Sequence, residues 1–205
     1  MKVRTEARRE AIIDAAASVF LEMGYERTSM NEVTKRMGGS KATIYSYFPS
    51  KEDLFIAVVN RHATAHLAEA VSELATYSEK ALDLRGLLSR FGERMLAMLI
   101  NDNTALDVYR MVVAESGRSE IGMMFYESGP RQCMQTISTL MAQAMQNGQL
   151  RKIDPDLAAL QLTSLLTAET EIRLYQQSPQ PLSCEQIRLM VQRAVETFLL
   201  GMGQR

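Results

Sequence analysis

The stretch of sequence that most constrains the fold covers residues 28–48 and reads TSMNEVTKRMGGSKATIYSYF. Ser29, with Glu32 three residues later, matches the capping box that starts an α-helix. Gly38 and Gly39 then end that helix, because glycine adopts the left-handed backbone conformation without a steric penalty from Cβ. The pattern predicts two short helices joined by a tight turn.

The second of these helices has few apolar residues to anchor it. At 100° per residue, Ile44 and Phe48 fall on one side of the helix. The other positions carry small, hydroxyl, phenol and ammonium side chains: Ser40, Lys41, Ala42, Thr43, Tyr45 and Ser46. A polar surface of this kind is typical of the second helix of a helix-turn-helix, whose N-terminal residues meet base edges in the DNA major groove. An ordinary helical hairpin is the alternative that this pattern leaves open.

Residues on both sides of the motif extend the pattern. The positions that carry it are Phe20, Gly24, Tyr25, Thr28, Ser29, Gly38, Ser40, Lys41, Thr43, Ile44, Tyr45, Phe48, Ser50, Lys51, Asp53 and Leu54. Together they resemble, without gaps over about residues 5–60, the N-terminal signature of the TetR family of transcriptional repressors. Gly39 stands where valine is usual, Ala42 stands where glycine is common, and Ser46 and Tyr47 occupy variable positions. These departures bear on the operator sequence and leave the expected fold unchanged.

Helix geometry and the resemblance together predict the residues that bind double-stranded DNA. They are Thr28, Ser29, Ser40, Lys41, Ala42, Thr43, Tyr45, Ser46, Tyr47 and Lys51. Residues 1–51 contain nine Lys and Arg against six Asp and Glu, a mild basic bias of +3. The first predicted helix, from Thr5 to Met23, adds four basic residues at its start, which form either a phosphate-contacting arm or a solvated face: Lys2, Arg4, Arg8 and Arg9.

The rest of the chain has helical periodicity and no convincing strand. A long helix is predicted from Ser50 to Leu74 as the link between two domains. Further helices are predicted over residues 84–100, 104–117, 120–147 (interrupted at Gly129-Pro130), 155–176 and 183–200. The expected fold is therefore all-α with about nine helices. Residues 1–50 would form a three-helix DNA-binding domain with its helix-turn-helix at about 29–48, and residues 51–205 a larger helical ligand-binding and dimerisation domain.

Methionines cluster in the predicted second domain, where eight of the fourteen fall between residues 95 and 145. Methionine fills irregular spaces, so the cluster is consistent with a plastic apolar pocket for a small-molecule effector, although ordinary core packing accounts for it equally well. The candidate pocket residues are Met95, Met98, Tyr109, Met111, Phe125 and Met134. The tract from Met111 to Gln132 also resembles the C-terminal domains of AefR-type members of the same family.

The last two predicted helices have broad apolar faces, wide enough to bury both a core and a partner. The family resemblance implies a homodimer in which two such helices from each subunit form a four-helix interface. The residues expected there are Leu165, Ile172, Val191, Val195 and Phe198. A two-fold axis would place two recognition helices about one DNA turn apart.

Several classes of function fit the sequence less well. Cys133 and Cys184 have no metal-ligand spacing around them, and His62 and His66 share one helix without a third ligand, so we expect no metal, no cofactor and no catalytic site. The N-terminus lacks a signal-peptide core and no apolar run reaches 18 residues, which predicts a cytoplasmic protein without a membrane partner. An enzyme and a sequence-independent architectural DNA protein are the alternatives to a ligand-responsive repressor, and the acidic balance of residues 52–205 argues against the second.

Overall fold

The computed structural model describes residues 5–74, 83–101 and 103–203. Within these ranges it contains eleven α-helices, one π-helical segment, one 3-10 helix and no strand, which confirms the all-α prediction. In chain order the elements are α1 (Glu6–Met23), α2 (Met30–Met37), α3 (Lys41–Tyr47), α4 (Lys51–Val59), the π-helical segment (Asn60–Thr64), α5 (Ala65–Leu74), α6 (Leu84–Asn101), α7 (Asn103–Glu115), α8 (Ile121–Glu127), α9 (Pro130–Gln146), α10 (Pro155–Thr167), the 3-10 helix (Ala168–Tyr175) and α11 (Cys184–Met202). The total exceeds nine because two predicted helices are each divided in two.

The chain forms two compact units, which do not follow the predicted division between residues 50 and 51. Unit 1 comprises Met1–Thr64 and Thr104–Ser128, and unit 2 comprises Ala65–Asn103 and Gly129–Arg205. Helix α4 packs against α1, and apolar residues of α7 and α8 lie in the same core as the helix-turn-helix. Local sequence patterns do not reveal that a segment 50 residues downstream completes this core. The assignment of DNA binding to residues 1–50 remains a prediction.

Three aromatic rings form the centre of unit 1. The rings of Phe20 and Tyr25 stack with centroids 5.7 Å apart, and Phe55 from α4 meets Tyr25 edge-on at 5.0 Å. Phe20 and Phe55 are fully buried, and Tyr25 is 5% exposed. Such aromatic pairs add roughly 0.5–1.5 kcal/mol beyond the area they bury. They hold the α1–α2 turn against the first turns of α4.

The predicted Ser50–Leu74 helix is helical from Lys51 to Leu74, with the π-helical segment in its middle. Ser50 caps α4 by accepting a hydrogen bond from the Asp53 N–H at 3.0 Å. Within the π-helical segment, Arg61 forms ion pairs with Glu10 and Asp14 of α1. π-helical turns are uncommon and often occur at functional sites. This one ends at Thr64, the last residue of the first of the two segments that form unit 1.

Unit 2 is a helical bundle in which α10 packs on α9 and α11, and α11 packs on α6. At Gly92 of α6, an added Cβ would lie 2.6 Å from Leu166 and 2.9 Å from Val191, so glycine allows α6 to approach α10 and α11 closely. Ser183 and Gln186 form a complete capping box at the start of α11. Along the described ranges, no helix has the length and apolarity needed to cross a membrane.

Candidate nucleic-acid interface

Helix α2 and the turn after it follow the sequence prediction closely. The Ser29 hydroxyl accepts a hydrogen bond from the Glu32 N–H at 3.3 Å and so caps the helix. The Glu32 carboxylate pairs with Lys35 at 3.0 Å in place of the return bond expected of a capping box. Gly38 ends the helix with φ of +66°, a left-handed conformation that favours glycine. The motif therefore turns sharply where the two glycines predicted it.

Helix α3 is short and its polar side chains stabilise its own first turn. Ser40 caps it, accepting from the Thr43 N–H at 3.2 Å, and the Ser40 and Thr43 hydroxyls lie 2.9 Å apart. Ser46 donates its hydroxyl proton to the Thr43 carbonyl at 2.7 Å. These local bonds set the orientation of the hydroxyl groups before any ligand is bound.

The two sides of α3 differ as the periodicity predicted. Ile44 is fully buried and Phe48, just after the helix, is 4% exposed. The exposed residues are Lys41, Ala42, Tyr45 and Ser46, whereas Thr43 and Tyr47 are half-buried. Tyr45 is 48% exposed, so its ring and hydroxyl are accessible to a partner. The orientation of α3 is thus confirmed, while contact of these residues with DNA stays a prediction.

Helix α1 begins beside α3. The Thr5 N–H donates to the Tyr47 hydroxyl oxygen at 2.9 Å, and the Arg9 guanidinium lies 5.4 Å from the centre of the Phe48 ring. Two independent contacts therefore hold the first turn of α1 against the C-terminal end of the recognition helix. Lys2 and Arg4, the first residues of the predicted basic arm, lie outside the described residues.

Two predicted DNA-binding residues have structural partners in unit 1. Thr28 is 3% exposed, and its hydroxyl donates to the Gly24 carbonyl at 2.7 Å. The Lys51 ammonium donates to the Tyr25 carbonyl at 3.1 Å and lies 4.1 Å from the centre of the Tyr25 ring. Both residues stabilise the α1–α2 turn, so a DNA contact from either would have to form in addition to these bonds.

Tyr25 connects three parts of unit 1. Its hydroxyl donates to Glu52 at 3.2 Å, and its N–H donates to Glu115, at the end of α7, at 2.8 Å. Burial, followed by the charge of Glu52, raises the pKa of the Tyr25 phenol above its ordinary value, so the phenol stays protonated as a donor. The pKa of Glu52 is lowered, first by a hydrogen bond from its own backbone N–H. The Glu26 N–H also donates to Glu115, at 3.2 Å.

Most cations in residues 5–48 already have partners. Arg9 pairs with Glu6 and Glu10, Lys35 with Glu32, Arg36 with Glu22, and Arg27 donates to the Met23 carbonyl. Among the residues that the structure describes, the Lys41 ammonium and the Arg8 guanidinium form no hydrogen bond or ion pair. These two cations can bind a phosphate without first breaking an internal contact.

The candidate effector residues fall in both units. Tyr109 and Phe125 are in ring contact at 5.8 Å in unit 1, and Met111 lies in the core of the same unit. Met95 is buried in the core of unit 2, and Met134 packs against that core. The side chain of Met98 lies outside the described part. The contribution of these residues to an effector site remains a prediction.

The candidate dimer residues divide into a buried group and an exposed group. Val191, Val195 and Phe198 are at most 2% exposed within a single chain, because this face of α11 packs against α6 and α10. They belong to the core of unit 2, and Phe198 also lines the groove between α10 and α11, so their part in a dimer interface remains a prediction. Ile172, by contrast, is 61% exposed, and Leu165 is half-buried.

Other apolar side chains, outside the five residues predicted for the dimer interface, are exposed on the outer side of α10, the 3-10 helix and α11. They are Leu157, Leu160, Tyr175, Leu189 and Leu200. Between α10 and α11 lies an open groove whose walls include Leu157, Leu160 and Leu165. In the described ranges, no three His, Cys, Asp or Glu side chains come together as metal ligands. The side chain of His66 is outside the described part.

The fold and the exposed α3 define a helix-turn-helix regulator with a helical second unit. Residues 12–58 match the family model described as bacterial regulatory proteins, tetR family, and residues 86–201 match the AefR-like transcriptional repressor C-terminal domain. The chain belongs to the TetR family of transcriptional regulators, and regulators of this family bind operator DNA and small-molecule effectors as dimers.

Solved structures and curated relatives agree with this assignment. A TetR-family regulator from Mesorhizobium loti is 27% identical, with a TM-score of 0.78 over 99% of this chain and 100% of that chain. The flavonoid-responsive regulator FrrA is 30% identical, with a TM-score of 0.71 over 98% of this chain and all of the other. The HTH-type transcriptional activator FasR from Mycolicibacterium smegmatis is 33% identical over 86 residues, covering 42% of this chain and 39% of FasR. The chain spans about half the length of the first curated relatives it matches.

Proposed function

We propose that this protein is a ligand-responsive transcriptional repressor that binds a pseudo-palindromic operator as a homodimer in the cytoplasm. The observation that carries the proposal is α3, whose exposed Lys41, Ala42, Tyr45 and Ser46 lie opposite the buried Ile44. A helix held by a narrow apolar side and exposing polar and phenol groups fits the major groove. The match to an AefR-like repressor domain supports repression in preference to activation.

The homodimer rests on the exposed apolar face of unit 2. Leu160 and Ile172 are 55% and 61% exposed, and the groove between α10 and α11 lies beside Leu160. A second copy of the chain would cover these side chains and bring its own α3 into a symmetric arrangement. Half-sites would then be centred about one helical turn, or about 10 base pairs, apart.

The effector is proposed to be a small apolar or amphipathic molecule that releases the operator. Support comes from the methionine-rich composition of residues 95–145 and from FrrA, which responds to flavonoids. Coupling of about 1–3 kcal/mol, or 5- to 150-fold in affinity, is usual between two linked sites. Calorimetry of a candidate effector with and without operator tests the coupling, because linkage requires the DNA to weaken effector binding by the same factor.

The DNA proposal is tested by selecting fragments with the purified protein, sequencing them, and measuring affinity for the enriched site and a random duplex. We expect enrichment of an inverted repeat and tighter binding to it by at least about a thousandfold. The Lys41→Ala variant should weaken both duplexes and lower the salt slope of the dimer by about 2. Lys152→Ala, which removes one exposed positive charge from unit 2, is the control and should leave the slope unchanged.

Equal affinity for all duplexes would contradict the proposal and support the architectural alternative. An enzyme remains the alternative from another class. An enzyme would be supported if the protein did not bind DNA and converted its small-molecule ligand to a product. Both properties can be measured on the same preparation.

A further inference from the structure

Arg8 lies against the turn of the helix-turn-helix at Gly39, a glycine that the backbone conformation of the turn does not require. Gly38 supplies the left-handed conformation that the turn needs. Gly39 is outside the positive-φ region, so its backbone conformation is open to any residue. A residue with a side chain could adopt this backbone conformation, so the space beside Gly39 is open only because the side chain is absent.

The Arg8 guanidinium occupies that space. A Cβ placed on Gly39 would lie 3.0 Å from Arg8 Nη2 and 3.1 Å from Met37 Cε, so even alanine would require these side-chain ends to move by a few tenths of an ångström and a branched side chain would require more. Gly39 directly precedes Ser40, the N-cap of α3. The guanidinium is thus at the N-terminal end of the recognition helix, where Lys41 also lies.

The side chain has no competing partner in the described residues. The neighbouring Arg9 is paired with Glu6 and Glu10, whereas Arg8 forms neither a hydrogen bond nor an ion pair through its guanidinium there. The first turn of α1 is itself fixed to α3 through Thr5 and Tyr47. A guanidinium offers five N–H donors in a planar fork that fits phosphate oxygens in a bidentate manner.

We infer that the Arg8 guanidinium binds a phosphate of the DNA backbone from its position against the turn at Gly39. The absence of a side chain on Gly39 is what allows the guanidinium to lie there. This inference rests on the proposed function, because it adds one phosphate contact per subunit to the same interface. The contact would extend the interface from α3 to α1 and fix the register of α3 in the groove, as backbone contacts do.

The test is the salt dependence of affinity for the selected operator, measured by fluorescence anisotropy. Each neutralised phosphate contributes about 0.9 to the slope, so Arg8→Ala should lower the slope of the dimer by about 1.8. The affinity ratio of wild type to variant should consequently be about 12-fold larger at 50 mM than at 200 mM salt. Arg8→Gln, which keeps a long side chain without the charge, should show the same loss, and Arg8→Lys should retain most of the slope.

Gly39→Val tests whether DNA affinity depends on the position of the Arg8 guanidinium against the turn or only on its positive charge. Its side chain would take the space of the guanidinium, so we expect the loss seen in Arg8→Ala. The double variant Arg8→Ala/Gly39→Val should bind like Arg8→Ala alone, because both changes remove one interaction. Lys152→Ala again controls for the loss of one charge. Melting temperatures of all variants should stay at the wild-type value, since no internal bond is removed.

A wild-type slope in Arg8→Gln would refute the inference and leave the proposed function intact. Additive losses in the double variant would equally refute it, because Arg8 and Gly39 would then act separately. If the wild-type protein itself selects no sequence and binds no duplex, the proposed function has failed, and that result is seen before any variant is measured.

Discussion

The Glu115 carboxylate at the end of α7 stabilises the α1–α2 turn. The carboxylate accepts from the N–H groups of Tyr25 at 2.8 Å and Glu26 at 3.2 Å, across 90 and 89 residues of sequence. It thereby caps two successive backbone donors that no helix satisfies. Replacing Glu115 with alanine leaves both donors without this acceptor.

The expected cost follows from these two distances. A hydrogen bond to a charged group contributes roughly 1.5–3 kcal/mol net. The bond to Glu26 is longer and exposed, so water can replace it at little loss, and the total for Glu115→Ala is about 2–3 kcal/mol. For a chain of this size, 1 kcal/mol shifts the melting temperature by roughly 2–4 °C, which gives a decrease of about 4–12 °C. Glu120→Ala is the matched control, because that carboxylate is exposed in the same segment and caps nothing.

Two measurements check the reasoning. Thermal unfolding gives the overall stability, and hydrogen exchange reports on the amides of Tyr25 and Glu26 individually. We expect both amides to exchange faster in Glu115→Ala and at the wild-type rate in Glu120→Ala. An unchanged melting temperature together with unchanged protection of these two amides would refute the role assigned to Glu115.

Two further predictions concern the faces of unit 2 and its thiols. Leu160→Glu should convert the proposed dimer to a folded species of 23.0 kDa in light scattering, whereas Phe198→Asp should abolish cooperative unfolding, because Leu160 is 55% and Phe198 only 2% exposed. At pH 8 a thiol reagent should titrate the exposed Cys184 in the native protein and reach Cys133 only in denaturant, because burial raises the pKa of the Cys133 thiol to about 11. The unfolded chain loses the Cys133 thiol proton at a lower pH than the folded chain does. The contribution of this thiol to the free energy of unfolding therefore decreases as the pH rises from 9.0 to about 11.

The helix-turn-helix could be predicted from sequence because its signals are local. Ser29, Gly38 and Ser40 act on backbone groups within four residues of themselves, and the burial of Ile44 follows from helix periodicity. The role of Glu115 could not be predicted in this way. Its partners are about 90 residues away in sequence, and a glutamate at the end of a helix has the same local pattern whether or not a distant turn reaches it.

The dimer residues illustrate a different limit. Helix α11 is apolar on more than one side, since it carries the buried Val195 and Phe198 as well as Leu189 and Leu200, which are 39% and 79% exposed. The hydrophobic effect has no direction, so composition alone cannot say which side faces the core. Packing against α6 and α10 decides the question, and it depends on residues far away in sequence.

Charge placement explains how residues 1–51, with only a mild basic bias of +3, can still be suited to DNA. In residues 5–48, Arg9, Lys35 and Arg36 are neutralised by nearby carboxylates, and such surface pairs add little stability, typically 0–1 kcal/mol. Their pairing reduces the positive potential that these side chains would otherwise contribute. The two cations without a described partner, Arg8 and Lys41, lie at the N-terminal end of α3. Net charge therefore understates the attraction for phosphate, because what matters is where uncompensated charge remains.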